Sequence, residues 1–311
     1  SILKSEEIYS TGFQAPGGME LANLFIKTIN SNPKNILVFG CGTGGGTKIM
    51  SKRFPNSKII AIDNSQNMID ICNSRYNLDN VEFMLNDGSD RIFFNQQTFD
   101  LIWSRDVILY IEDKETLFNN FYSWLKYGGK LLVCDFGCKD IKSPELLTYL
   151  DGKDYYLYNK NSYLSILENS NFQNLNLEDY TSLFEKTNRA ELSIFKEQSD
   201  NFINKYSKED YDHYIERWDN KIRLSKNDQL CYYLLSGEKR SLRIYIPVAC
   251  DLFHYGHLTL FKNVKQKFPN CVLIIGICDD NTIYSYKNKY PILSLKERVY
   301  TVSDSRNVDD I

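Results

Sequence analysis

Apolar residues fall along this chain in two alternating patterns. Short, mostly apolar runs at 36–39, 59–63, 81–85, 99–103 and 130–135 read as strands. Between them, at 19–29, 47–54, 68–76 and 114–125, apolar residues recur at helical spacing. A helix beginning within 6–10 is broken by Pro16, Gly17 and Gly18. Strands alternating with helices at this pitch predict an α/β fold, a parallel sheet with helices on both faces. Ligands of such sheets collect at the carboxyl ends of the strands. The pattern loosens over 141–240, where helical stretches mix with an expected lid. A helix starts at 163–168, a further strand is expected at 174–178, and 191–221 is charged and mostly helical. His213 lies there and reads as a surface residue. The segment 236–241 is polar without apolar period and marks the domain boundary, giving domains 1–238 and 239–311. Beyond it come a strand at 242–250, a helix at 258–267 and a strand at 271–278.

Composition narrows the picture modestly. The 311 residues suit two domains, and 42% hydrophobic content supplies a full core. A formal net charge of -3 argues against broad nucleic-acid binding. No apolar run approaches the roughly 18 residues of a membrane helix, and residues 1–7 do not resemble a secretory signal. The eight cysteines contain no C-x-x-C pair; Cys134, Cys250, Cys271 and Cys278 read as reduced core residues, consistent with a cytoplasmic protein. The 22 tyrosines accompany abundant Asn and Lys and are not read as a functional signal.

Candidate chemistry begins where the first strand stops. Five of the seven residues from Gly40 to Gly46 are glycine. Without side chains, the loop lets backbone N–H groups approach a ligand, although glycine turns also serve simply to pack a helix on a strand. About twenty residues on, Asp63 ends the second strand, placed to take both hydroxyls of a ribose. A dinucleotide and S-adenosylmethionine share that ribose. The loop is read as departing from the G-x-G-x-x-G form that aims a helix dipole at a pyrophosphate, so methyl transfer is favoured. Asp63, Asp87, Asp106 and Asp135 are all expected at or just after strand ends.

The loop from Gly40 to Gly46, Ala61-Ile62-Asp63, Asn86-Asp87 and above all the segment 104–110, Ser-Arg-Asp-Val-Ile-Leu-Tyr, resemble phosphoethanolamine N-methyltransferases. The resemblance covers roughly 5–240. It implies a Rossmann-like class I methyltransferase fold with a helical lid. It also implies S-adenosylmethionine as methyl donor, S-adenosylhomocysteine as product, and a small phosphobase as acceptor. The implied cofactor residues are Gly40, Gly42, Asp63, Asn64, Asp87, Gly88 and Arg105. Asp106 is the implied catalytic residue, with Tyr110 beside the chemistry, and Tyr149, Lys153, Tyr155 and Lys221 form the implied phosphobase pocket. Asp106 would hold the ammonium and orient its lone pair. Tyrosine faces would hold the methylated cation, and the lysines the phosphate. The chain departs from the family at several positions. Tyr110 stands in place of a histidine, Phe136 of a tyrosine, Lys153 of an arginine, and Val38 where the first strand often carries an acid. No tyrosine precedes Tyr9 to serve as the family's lid tyrosine.

In the second half, two of the chain's three histidines, His254 and His257, form H-x-G-H at the head of a helix. Gly256 and the helix N-terminus suit a phosphate, and paired imidazoles can donate to a reacting phosphorus. No third ligand suggests a metal. This motif, with Ile275 to Asp280, Ser285 to Lys287 and Leu295 to Val299, is similar to cytidylyltransferases acting on phosphocholine, phosphoethanolamine or a phosphonate. The resemblance implies an α/β nucleotidyltransferase domain, CTP with Mg as co-substrate, His254 and His257 at the transition state, Lys287 on phosphate, and a homodimer through this part. The family's later nucleotide motif does not occur in 242–311, so the domain is expected to be incomplete. The combined expectation is phosphobase methylation coupled to formation of a CDP-aminoalcohol. Two rivals stay open: a first half that only binds, as scaffold or sensor, and an aminoalkylphosphonate acceptor.

Overall fold

The computed structural model describes residues 2–268 and 271–311, and the chain divides into two compact units, Ser1–Lys239 and Arg240–Ile311. The first unit is built on seven strands: β1 (Asn35–Phe39), β2 (Lys58–Asp63), β3 (Val81–Leu85), β4 (Phe99–Arg105), β5 (Leu125–Cys138), β6 (Phe172–Asp179) and β7 (Leu230–Lys239). They form one sheet in the order β3-β2-β1-β4-β5-β7-β6. The first five are mutually parallel, and β7 inserts antiparallel between β5 and β6. Strand β1 shows why this sheet is central. Ile36 and Val38 pack into one core, Leu37 and Phe39 into another, and all four are buried. A strand covered on both faces requires a continuous apolar run.

Ten helices belong to this unit. Five of them, α1 (Ile2–Tyr9), α2 (Gly18–Lys27), α3 (Gly45–Arg53), α4 (Gln66–Arg75) and α5 (Lys114–Trp124), lie before β5 in sequence. The others are α6 (Pro144–Leu150), α7 (Lys160–Asn169), α8 (Thr181–Glu197), α9 (Ser199–Lys205) and α10 (Lys208–Lys226). The charged segment expected at 191–221 is thus parts of three helices, broken at Gln198 and Tyr206–Ser207. Around them Leu192, Phe195, Phe202, Tyr214 and Trp218 make a separate core that also takes Tyr9 from α1.

Two expectations need correction and one needs refinement. Helix α1 begins at Ile2, not within 6–10. Strand β5 continues through Asp135 to Cys138, so Asp135 lies inside a strand and is fully buried. The boundary between the units falls inside the polar segment 236–241, after Lys239, but Ser236, Gly237 and Glu238 still pair with Leu132, Leu131 and Lys130 as the end of β7. Polarity misleads there because the inward Lys239 is satisfied by backbone, donating to the Leu125 carbonyl at 2.8 Å.

The second unit contains β8 (Arg243–Val248), α11 (Tyr255–Lys267), β9 (Val272–Ile277), α12 (Asp280–Lys287) and α13 (Leu295–Ser303). Strands β8 and β9 pair in parallel, with α11 as the connecting helix. Cys250, Phe261, Cys271, Leu273, Ile275 and Val302 form its core, while Cys278 is only half-buried. Arg298 ties these parts together although fully buried. Its guanidinium donates to the carbonyls of Leu293, Ala249 and Cys278 and to the Asp280 carboxylate. Among the described residues no helix is long and apolar enough to cross a membrane.

Replacing Arg298 by Met strands a carboxylate and three carbonyls. The expected cost is about 3–5 kcal/mol, confined to the second unit. In a thermal melt followed by NMR, signals of 240–311 should disappear first, with those of the first unit unchanged.

Candidate functional site

A cavity of about 560 Å³ opens at the carboxyl ends of β1, β2 and β4. At one end the loop after β1 supplies Gly40, Cys41, Gly42 and Thr43 to the wall. Gly42 has φ +52°, and a Cβ built on it meets nothing within 4 Å. The loop therefore leaves room there for a ligand. Gly40 serves packing instead, since a Cβ on it would strike Val107 at 2.2 Å. The Asp63 carboxylate lines the cavity while accepting from Gly42 N at 2.8 Å and Ser65 N at 3.1 Å. These bonds hold it at the loop with its charge toward the space. Asn64 and Asp87 also line it. Ser89 donates to Asp87 through N and Oγ, which lowers the Asp87 pKa. Gly88 is not on the wall: it is a turn residue at φ +77° whose carbonyl accepts from Asn120.

Gly40, Gly42 and Gly45 in fact satisfy the G-x-G-x-x-G spacing, so spacing alone does not separate a dinucleotide from S-adenosylmethionine. The N-terminus of α3 does. Gly45 N donates to the Gly12 carbonyl at 3.1 Å, so the segment after α1 occupies the position a pyrophosphate would need.

That segment roofs the cavity with Gly12, Phe13, Gln14 and Ala15. Three side chains fasten it. Glu6 accepts from Gly12 N and pairs with both terminal nitrogens of Arg75 on α4. Glu191 on α8 accepts from Gly17 N at 2.8 Å. Arg105, buried at the end of β4, donates to the Gly18 carbonyl at 2.6 Å and the Pro16 carbonyl at 2.8 Å. Arg105 borders the cavity, but its guanidinium is committed to the roof, to Tyr232 and to Asp106. It is a positioning residue and not the donor to a cofactor that the sequence suggested.

Asp106 follows in left-handed backbone, φ +58°. Its Oδ1 accepts from the Tyr232 hydroxyl at 2.7 Å, and its Oδ2 lies 3.2 Å from Arg105 Nε. The next turn, Ile108–Tyr110, is clamped from both sides. Asp135 accepts from the amides of Val107 and Ile108, and the buried Lys114 ammonium donates to the Ile108 and Ile111 carbonyls. Burial lifts Asp135 to about 7, helped by the charge of Asp106, and depresses Lys114 to about 8. Asp135 is therefore a hidden support of the site and does not reach the ligand space, contrary to expectation.

The far end is aromatic and cationic. Tyr110 and Tyr155 meet edge to face at 5.3 Å, and Tyr149 lies beyond at 6.5 Å from Tyr155. All three line the cavity, with Lys221, Arg217 and Phe136. The Lys221 ammonium sits over Phe136 at 5.5 Å. Burial, then the charge of Arg217, pushes its pKa down to about 7. Lys153 is absent from this wall. It is exposed, with its ammonium on the Tyr149 carbonyl and 4.4 Å from the outer face of that ring.

In the second unit, His254 caps α11. Its Nδ1 accepts from Gly256 N at 3.0 Å, and its own backbone N donates to His257 Nδ1 at 3.3 Å. With both Nδ1 atoms accepting, each neutral ring carries its proton on Nε2. The two rings lie 4.2 Å apart, so two N–H donors are presented close together at the helix N-terminus. Asp251 receives the amides of Ile292 and Leu293, fixing the loop after α12 beside this motif. Lys287 ends α12, exposed, near enough for its charge to lower the Asp251 pKa.

A family model described as a methyltransferase domain matches residues 36–129, and one described as cytidylyltransferase-like matches 249–311. The first unit thus carries a match to a methyltransferase domain, and the second a match to a cytidylyltransferase-like one. Over 243 residues the chain is 34% identical to phosphoethanolamine N-methyltransferase 1 of Arabidopsis thaliana, covering 76% of this chain and 49% of that protein. It is 29% identical over 227 residues to the Plasmodium falciparum phosphoethanolamine N-methyltransferase, covering 71% and 85%. The chain thus spans about half the length of the plant relatives it matches. A solved structure of Haemonchus contortus phosphoethanolamine N-methyltransferase 2, in complex with phosphomonomethylethanolamine and S-adenosylhomocysteine, superposes with a TM-score of 0.72. The identity is 25%, over 77% of this chain and 57% of that one.

Within the first unit, sequence reasoning missed Tyr232, Arg217, Glu191 and the roof at 12–15. The run Leu230–Leu235, apolar but for its tyrosine hydroxyls, was a legible signal for β7. Nothing local marked Arg217.

Glu191 gives a pH signature. Burial raises its pKa from 4.5 to about 7, so the folded protein holds this proton more tightly than the unfolded chain. Its contribution to stability is complete below the unfolded value and is lost as pH rises through about 7. Relative to Glu191→Gln, the wild type should therefore lose melting temperature between pH 5 and 8. A constant difference across that range would refute the assignment.

Proposed function

We propose that the methyltransferase unit transfers a methyl group from S-adenosylmethionine to the nitrogen of a phosphobase, phosphoethanolamine or a partly methylated form of it. The observation that carries this reading is one continuous cavity with nucleoside-binding chemistry at one end and zwitterion-binding chemistry at the other. Room at Gly42 and the carboxylates of Asp63 and Asp87 suit the donor's ribose and adenine. When bound, S-adenosylmethionine supplies a sulfonium methyl open to attack by an amine. Asp106 receives the acceptor's ammonium group. The Tyr232 hydroxyl and Arg105 hold that carboxylate in one orientation, so the nitrogen is fixed before it reacts. Tyr110, Tyr155 and Tyr149 offer ring faces to a cation that gains methyl groups. Lys221 balances the phosphate. The phosphoethanolamine N-methyltransferase names of the relatives support the same acceptor.

We further propose that the second unit couples the phosphobase to CMP from CTP with Mg, making a CDP-aminoalcohol such as CDP-choline. His254 and His257 would donate from Nε2 to the phosphates in the transition state, with Lys287 adding charge. The product of the first unit is then the substrate of the second. One observation favours a rival: Tyr110 stands where the resembled family has histidine, which suits a first unit that binds both ligands without turnover.

Incubation with labelled S-adenosylmethionine and phosphoethanolamine should give labelled mono-, di- or trimethyl product. Asp106→Asn should lower kcat about a hundredfold or more while S-adenosylhomocysteine still binds. Bound cofactor with no labelled product would favour the binding-only reading, and a gain of turnover in Tyr110→His would identify that position as the cause. For the second unit, formation of pyrophosphate from CTP and phosphocholine should vanish in His257→Ala. Turnover unaffected by that change would remove the histidines from the chemistry.

A further inference from the structure

The cavity's acceptor end contains a cation that no motif announced. Arg217 and Lys221 are four residues apart on α10, hence on one helix face, and both line the cavity. Among the described residues neither makes an ion pair with a carboxylate. The Arg217 guanidinium lies over the Tyr214 ring at 5.7 Å, and Lys221 over Phe136. Two like charges side by side with no paired anion are unfavourable unless an anion joins them. The nearby anions are otherwise engaged: Asp106 by Arg105 and Tyr232, and Glu191 by Gly17 N. Asp154, also on the wall, makes no ion pair among the described residues and limits where a dianion can sit.

We propose that Arg217, paired with Lys221, is the principal phosphate-binding residue of the acceptor site, selecting phosphorylated amines over free amino alcohols. This rests on the phosphobase reading of the same cavity. The planar guanidinium grips two phosphoryl oxygens at once, which a lysine cannot do. Lys153, the position the sequence suggested for this task, is exposed and turned onto the back of Tyr149. Arg217 supplies the fork from α10 instead. The low pKa of Lys221, due partly to Arg217, fits a pair that is fully charged only when an anion is present.

The test is calorimetry on the whole chain saturated with S-adenosylhomocysteine, with phosphoethanolamine and inorganic phosphate as probes. Arg217→Ala should weaken both by about tenfold to a hundredfold, with S-adenosylhomocysteine affinity unchanged. Arg217→Lys should recover part of the loss, and it decides the matter should the alanine variant fail to bind cofactor. Unchanged phosphoethanolamine affinity in either variant overturns the role of Arg217 and leaves the phosphobase reading standing. Arg217-dependent binding of phosphate without phosphoethanolamine binding supports the anion site and overturns that reading. Binding of neither probe to the wild type overturns both.

Discussion

The site depends on one buried cation. Arg105 ends the central strand β4 almost wholly buried, and a guanidinium in that position must find its partners largely within the protein. Two of those partners are the carbonyls of Pro16 and Gly18, which set the hinge of the roof. Another is Asp106, the floor of the proposed amine site, and the last is the Tyr232 hydroxyl, which also bonds Asp106. Roof and floor are thus fastened by the same side chain. A displaced roof would leave Arg105 unsatisfied, and its response would be felt at Asp106. The remaining clamps, Glu6 with Arg75 and Glu191 with Gly17, secure the roof at points further from the chemistry.

Much of this was legible in the chain, for physical reasons. A strand buried on both faces needs an unbroken apolar run, so β1, β2, β4 and most of β5 stood out. The open position at Gly42 needs positive φ, which glycine advertises. Asp63 and Asp87 follow from strand-end topology. What escaped depends on tertiary pairing. The polar end of β7, Ser236 to Lys239, was hidden because its lysine is satisfied by a carbonyl of a neighbouring element. Asp135 looked like a ligand because its strand appeared to stop there, whereas it continues for three residues. Arg217 carries no local pattern at all: its meaning comes from the wall that α10 happens to line. The resemblance located Lys221 but directed attention to Lys153, which the fold turns outward.

The departure at Tyr110 constrains how a proton could leave in the proposed reaction. A primary ammonium must become a neutral amine before its lone pair can attack a methyl group. Histidine can accept a proton near neutral pH; a phenol cannot. Here the surroundings take Tyr110 no nearer that role: its side chain is 53% exposed at the mouth, yet partial desolvation of the hydroxyl and the neighbouring Tyr155 raise its pKa above the ordinary value. The aromatic mouth can hold a cation but cannot deprotonate one. Lys114, depressed to about 8, is enclosed by carbonyls, and Asp135 is screened by the turn it caps. At the acceptor end of the wall, that leaves Asp106, Asp154, Lys221 or solvent at the open mouth as the acceptor of the proton. Asp106 is held by a phenol and a guanidinium, both of which fix its carboxylate in one orientation. The architecture therefore favours positioning over proton abstraction. In the proposed reaction one proton leaves the ammonium before each methyl transfer, however many methyl groups it already carries, so the same positioning serves every step.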